Sequence, residues 1–164
     1  MVNVCVEIET TRDIARQILR HRSFSFQEFS QRYANPLDSL EMDYREVRMQ
    51  DTKNRQNSVE IDISQPEQRE LHDIWLYKQA AMLRVAKETY HWAISNGIAK
   101  EQARAVLPEG NTMSRMYMNG TLRSWMHYVN IRCDKATQKE HRLIAEKCRD
   151  IIYSLFPSIK EVTI

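Results

Sequence analysis

Apolar and polar residues alternate at the start of the chain, with Val2, Val4, Val6 and Ile8 set against Asn3, Cys5, Glu7 and Glu9. A period of two marks a half-buried strand, predicted over residues 2–10. The period then lengthens. Ile14, Ile18 and Leu19 share one helical stripe, with Thr10 or Thr11 as the cap and Asp13 in the first turn. This helix should end near His21, which puts Arg20, His21 and Arg22 at its mouth. Gln17 precedes Arg20 by about one turn, so both can reach a common ligand. Asn35-Pro36 breaks the chain. Residues 37–64 are polar and weakly periodic. Their cluster of Lys53, Asn54, Arg55, Gln56 and Asn57 reads as a surface loop or as a flap beside a functional site.

Ser64 followed by Glu67 forms a candidate capping box, with Pro66 in the first turn. It opens a long helix over residues 65–95, with Leu71, Ile74, Trp75, Met82, Val85, Ala86 and Trp92 as its apolar stripe. Asn96-Gly97 stops it in a left-handed turn. His72 and His91 on this helix have no metal-ligand spacing. A shorter helix is predicted over residues 100–106, carrying Arg104 and stopping before Pro108. Residues 114–119 are rich in Met and Tyr and read as a strand or an extended connection, with the strand favoured. Thr121 then caps a helix whose stripe is Leu122, Trp125, Met126 and Val129, while Arg123, His127 and Asn130 face the other way. A last helix is predicted over residues 136–155, ended by Pro157. No repeat, low-complexity stretch or internal domain boundary is visible. The expected fold class is α+β: a single domain over residues 1–164 with long helices packed on a mixed sheet.

The 164 residues suffice for one domain. A net charge of +2 argues against a globally basic nucleic-acid binder, so the basic clusters must be read locally. No apolar run reaches the length of a membrane span, and no signal peptide is visible. Cys5, Cys133 and Cys148 are widely spaced, form no zinc pattern and fit a reducing, cytoplasmic setting. No metal is expected. Cys133 has no neighbouring base to activate it.

Residues 17–33 are where this basic charge collects. Between Ile14 and Leu37 there are four arginines and one carboxylate, Glu28, with Ser23, Ser25 and Ser30 among them and Phe24, Phe26, Phe29 and Tyr33 as anchors. Arginine forks and hydroxyls are the groups that hold phosphate. On residue chemistry alone, a solvated basic helix end or a nucleic-acid patch over residues 16–32 is the alternative.

Arg20-His21-Arg22, then Ser25, Ser30 and Arg32, resembles the signature of the flavin-dependent thymidylate synthases. That signature is Arg-His-Arg, two free positions, Ser, four free positions, Ser, one free position, Arg, and every fixed position is filled. Arg104-Ala105-Val106-Leu107-Pro108 resembles a second block of that family. Asn119-Gly120-Thr121-Leu122-Arg123-Ser124-Trp125, with His127-Tyr128 and Arg132, resembles a third, and Gln138 and Glu140 resemble its continuation. The resemblance implies reductive methylation of deoxyuridylate (dUMP) to thymidylate. Methylenetetrahydrofolate gives the carbon, and reduced FAD, regenerated by NADPH, gives the hydride. It implies nucleotide contacts from Gln17, Arg20, Glu28, Ser30, Gln31, Arg32, Arg104 and Arg132. It implies flavin contacts from Arg20, His21, Arg22, Ser25, Glu28, Thr121, Arg123 and His127. Glu28 suits a sugar hydroxyl or the orientation of a neighbouring arginine. Arg132 is the expected catalytic residue, because a fixed guanidinium at the uracil stabilises negative charge that develops on the ring.

The family also implies a homotetramer with active sites between subunits. It normally carries several dozen further residues before the first strand seen here, including a His-x-Ser/Thr-Pro-Phe-Glu block at the flavin site. Nothing in these residues matches that block. A catalytically incomplete relative that binds nucleotide and flavin is therefore the alternative. The first strand is also expected to pair beyond the chain itself, with flavin held more weakly than in a longer relative.

Overall fold

The computed structural model describes residues 2–55 and 57–161; Met1, residues 162–164 and Gln56 of the polar cluster lie outside the described residues. In chain order the elements are β1 Asn3–Thr11, α1 Arg12–Ile18, β2 Ser25–Glu28, α2 Pro36–Ser39, β3 Arg48–Gln50 and β4 Ser58–Glu60. They continue with α3 Pro66–Ser95, α4 Lys100–Ala103, a 3-10 turn at Arg104–Val106, β5 Met113–Thr121, α5 Leu122–Arg132 and α6 Lys139–Leu155. A final 3-10 turn covers Pro157–Glu161. This is the α+β class expected. Two compact units emerge: Met1–Glu28 with Arg115–Ile164, and Phe29–Ser114.

The first unit is built on a sheet of order β1-β5-β2, in which β2 runs antiparallel to β5 with Ser25 opposite Asn119 and Glu28 opposite Met116. Alternation decides its faces. Val6 and Ile8 of β1 and Met116 and Met118 of β5 point into the core, while Cys5, Glu7, Glu9 and Tyr117 point out. On that outer face Arg115 bonds Glu9 and sits beside Glu7. Ile14, Ala15 and Ile18 of α1, Trp125, Tyr128 and Val129 of α5, and Ala145, Cys148 and Ile152 of α6 close the inner face. The Trp125 indole N–H donates to the Val4 carbonyl at 3.0 Å, so its burial leaves no polar atom stranded. Thr121 caps α5 as expected, accepting from Ser124 N at 3.1 Å.

Two boundaries in this unit differ from expectation. Helix α1 stops at Ile18, because Arg20 N bonds to Gln17 O and His21 N to Ile18 O in tight turns that divert the chain. Helix α6 starts at Lys139, because Asp134 binds the backbone N–H of Ala136 with its side chain and that of Thr137 with its carbonyl.

In the second unit, α3 is the long helix expected, and Gly97 ends it with φ of 77°. Its buried row is Gln79, Leu83, Ala86, Tyr90 and Ala93. Of the predicted stripe only Ala86 is buried; Leu71, Ile74, Trp75, Met82, Val85 and Trp92 are exposed. Leu83, Tyr90 and Ala93 of this row pack with Met42, Ala103 and Leu107. The buried Gln79 is bonded at both ends of its amide: its Oε1 accepts from Arg45 N at 2.8 Å and its Nε2 donates to Arg45 O at 2.9 Å. The expected capping box does not form. Ser64 donates to Asp62 instead, and Gln65 is the residue that precedes the helix. Residues 37–64 are not one loop either. Strands β3 and β4 pair antiparallel, Arg48 opposite Glu60 and Gln50 opposite Ser58, and the polar cluster lies in the turn between them.

Candidate functional site

In the first unit the turn after α1 brings His21 against α5. Arg132, on the last turn of α5, donates from Nε to His21 Nε2 at 2.9 Å. A ring nitrogen that accepts must be unprotonated, so the imidazole here is neutral with its proton on Nδ1. Burial holds the His21 pKa below its ordinary value, and the nearby charges of Arg132 and His127 push the same way. The ring stands edge-on to Tyr128 at 4.9 Å between centroids. The predicted catalytic arginine is thus half-buried and held by a residue of the Arg-His-Arg motif.

Behind this pair a polar row runs from the buried Tyr128 and His141 out to the exposed Gln138, and its histidine was not singled out from the sequence. The His141 ring is fully buried, with Nε2 at 3.1 Å from the Tyr128 hydroxyl and Nδ1 at 3.4 Å from Gln17 Oε1. Gln17 Nε2 donates to Gln138 Oε1 at 2.8 Å, and Gln138 Nε2 donates to Glu140 Oε2 at 2.9 Å. Burial pushes the His141 pKa down to about 4, helped by Arg132 and His21. Burial raises that of Tyr128, so its hydroxyl keeps its proton. A lone histidine in an amphipathic helix gives no periodic signal; only its i, i+3 relation to Gln138 could have drawn notice.

The predicted flavin contacts of this unit divide by their partners. Arg20, Arg22, Ser25, Arg123 and His127 are all exposed, and the three arginines have no carboxylate partner among the described residues. Thr121 is committed to its cap. Glu28 sits with Oε1 at 3.5 Å from Arg12 Nη1, an arginine that was not singled out. Two arginine forks on one turn, a third at the start of α5 and the Ser25 hydroxyl make a donor set suited to a phosphate-bearing anion. Burial raises the pKa of the Cys133 thiol, which does not favour the thiolate, and that of Cys148 is pushed up to about 12. No cluster of metal-ligating side chains occurs among the described residues.

In the second unit Glu101 of α4 gathers two of the predicted nucleotide contacts. Its carboxylate lies 3.5 Å from Arg32 Nε, and its carbonyl accepts from Arg104 Nε at 3.2 Å. Lys100, beside it, donates to Tyr33 O at 3.1 Å. The backbone carbonyl of Ser30 accepts from Tyr33 N and Ala34 N, making the turn that presents Arg32. Gln31 is buried, and its amide nitrogen finds no hydrogen-bond partner among the described residues. An unmet buried N–H costs about 1–3 kcal/mol, so a donor left in this state marks a place where an acceptor is expected.

The sequence pattern of the thymidylate synthase complementing proteins matches residues 1–158. A flavin-dependent thymidylate synthase of Synechocystis is 49% identical over 160 residues, 97% of this chain and 70% of that protein. A probable flavin-dependent thymidylate synthase of Paramecium bursaria Chlorella virus 1 is 44% identical, over 94% of this chain and 68% of its own length. Among solved structures, the UMP/dUMP methylase PolB of Streptomyces cacaoi, bound with 5-Br UMP, superposes with a TM-score of 0.78 at 23% identity. That match covers 94% of this chain and 70% of PolB, and it shows a shared fold.

Proposed function

Because this chain belongs to the thymidylate synthase complementing protein family, we propose that it is a flavin-dependent thymidylate synthase. In this reading it methylates dUMP reductively, with methylenetetrahydrofolate as carbon donor and NADPH as reductant. The observation that carries the reading is the arginine–imidazole pair: Arg132 is fixed by a neutral His21, in the unit that also bears the exposed arginines. A guanidinium held in place needs no reorganisation when charge develops beside it, and that is the role proposed for Arg132 at the uracil ring.

The other residues fall into roles by their chemistry. Arg32 and Arg104, set around Glu101, suit the nucleotide phosphate, with Ser30 beside them. The unpartnered amide of Gln31 supplies a donor for a nucleotide oxygen. Gln17 and Arg20 complete the nucleotide set, and Glu28 acts by orienting Arg12. Arg20, His21, Arg22, Ser25, Arg123 and His127, with Thr121 at the start of α5, would hold FAD, the arginines pairing with its phosphates. Reduced flavin held there would supply the hydride. The exposed apolar face of α3 supports the homotetramer proposed for the assembled enzyme. Three free cysteines suit a cytoplasmic setting.

Arg132→Ala tests the reading. Turnover of dUMP is expected to fall about a hundredfold to a thousandfold, while the folded fraction stays near wild type. Normal turnover in a well-folded variant overturns the assignment. A wild-type chain that binds FAD and dUMP but never turns over identifies the incomplete relative instead.

A further inference from the structure

The row from Tyr128 to Glu140 has a direction, and one residue sets it. A carboxylate only accepts, so the Gln138 amide must turn its N–H to Glu140, at 2.9 Å. Its carbonyl oxygen then faces Gln17 and accepts from Gln17 Nε2 at 2.8 Å. That leaves Gln17 Oε1 facing His141 Nδ1, which must carry the proton, and His141 Nε2 accepts from the Tyr128 hydroxyl. The reversed chain would bring the Gln138 carbonyl oxygen against the Glu140 carboxylate, acceptor against acceptor.

We propose that His141 is a positioning residue: anchored by Tyr128 and given its tautomer by Glu140, it locks the Gln17 amide so that the edge left for a ligand is an N–H. Gln17 uses one amide hydrogen on Gln138 and has one remaining. Gln17 is only half-buried, so this second hydrogen is within reach of a bound molecule, whereas His141 is fully buried and touches none. The ligand atom opposite Gln17 is therefore an acceptor oxygen. In the proposed function, on which this inference rests, that oxygen belongs to dUMP. Burial supports the arrangement, because a neutral His141 beside Arg132 and His21 keeps one donor and one acceptor at physiological pH.

Calorimetric titration with dUMP tests the coupling in the full chain. Gln17→Ala and His141→Leu are each expected to weaken dUMP binding about fivefold, and the double variant no further than Gln17→Ala alone. His141→Asn, whose amide nitrogen can stand in for Nδ1, should restore affinity to within about twofold of wild type. Nitrogen NMR of the imidazoles should show His141 as the neutral Nδ1–H tautomer, with Glu140→Gln producing a mixture. If Gln17→Ala weakens binding but His141→Leu does not, or if the two effects add, the positioning role is wrong while the nucleotide reading survives. An Nε2–H tautomer in the wild type also overturns it. A wild-type chain that ignores dUMP removes the functional reading and this inference together.

Discussion

Trp125 on α5 and Trp92 on α3 are the same side chain in opposite settings, the first 0% exposed and the second 61%. The helices around them differ in the same way. On α5 and α6 the buried rows are apolar apart from His141, with Trp125, Tyr128 and Val129 on the one and Ala145, Cys148 and Ile152 on the other, and the polar groups on these helices bond within the unit: indole to Val4, Tyr128 to His141, Arg132 to His21. On α3 the buried row holds a glutamine and two alanines beside Leu83 and Tyr90, while six of the seven predicted stripe residues face out. Hydropathy alone therefore does not say which face of a helix turns inward. Where the sheet of the same unit supplies the opposing surface, the apolar stripe finds it. Where the neighbour is a short helix and an extended segment, Leu83 and Tyr90 pack in one row with two alanines and a bonded amide, and the predicted apolar stripe faces out.

Removing an interior anchor gives the largest effect. Trp125→Ala should cost about 3–5 kcal/mol of unfolding free energy, since it empties a site walled by Phe24 and Tyr128 and strands the Val4 carbonyl. Urea denaturation of variant and wild type measures it. A loss below about 1 kcal/mol would mean that this interior is looser than its contacts imply.

The polar interior carries its own signature in pH. The folded pKa of His141 is about 4, against 6.5 for the free side chain. Between these values the unfolded chain binds a proton that the folded chain refuses, so stability falls as pH drops through that window and rises as pH rises. At about 1.36 kcal/mol per pKa unit, the penalty at pH 4 is roughly 3 kcal/mol. His21 shifts in the same direction. Unfolding free energies at pH 7 and pH 4.5 should therefore diverge less in His141→Asn than in wild type. Equal divergence would place the proton penalty on other groups.

This contrast also separates what was legible in the sequence from what was not. Strand β1, the Thr121 cap and the Gly97 stop were readable because each is local: a period of two, a hydroxyl before a helix, a glycine at positive φ. The hairpin at residues 48–60 was not, because strands of three residues, each with one apolar position, are too short to show a period. Ser64 and Glu67 fitted a capping box on spacing, but Asp62 competes for the Ser64 hydroxyl. For the candidate site, the Arg-His-Arg motif pointed to Arg20, His21 and Arg22, and the resemblance of the block from Asn119 pointed to Arg132. The bond between His21 and Arg132 spans most of the chain and leaves no trace in local spacing. The same holds for the ion pair of Arg32 with Glu101 and for the contact of His141 with Gln17.

On α3 the counterpart of Trp125 is a polar residue. Gln79→Leu keeps the volume but orphans the Arg45 backbone N–H and one Asn111 amide hydrogen, both of which Gln79 Oε1 now accepts. The expected cost is about 1–3 kcal/mol, and thermal denaturation reads it. A gain in stability would show that the amide is tolerated rather than required, and that the buried row of α3 obeys the same hydrophobic rule as α5.

The smallest effect should come from Trp92. Its indole is mostly in solvent, so Trp92→Ser removes little buried area, and dilute samples should unfold within about 0.5 kcal/mol of wild type. Mass action makes the same substitution informative at higher concentration. If the apolar face of α3 joins subunits as proposed, the wild type melts at rising temperature as concentration increases, and Trp92→Ser flattens that dependence. Sedimentation velocity on both proteins supplies the independent readout: a shift toward smaller species in the variant is expected. Identical sedimentation, together with melting points that ignore concentration, would mean that α3 simply exposes its large apolar residues. The tryptophan pair would then differ only in burial, and the tetramer would have to form through another surface.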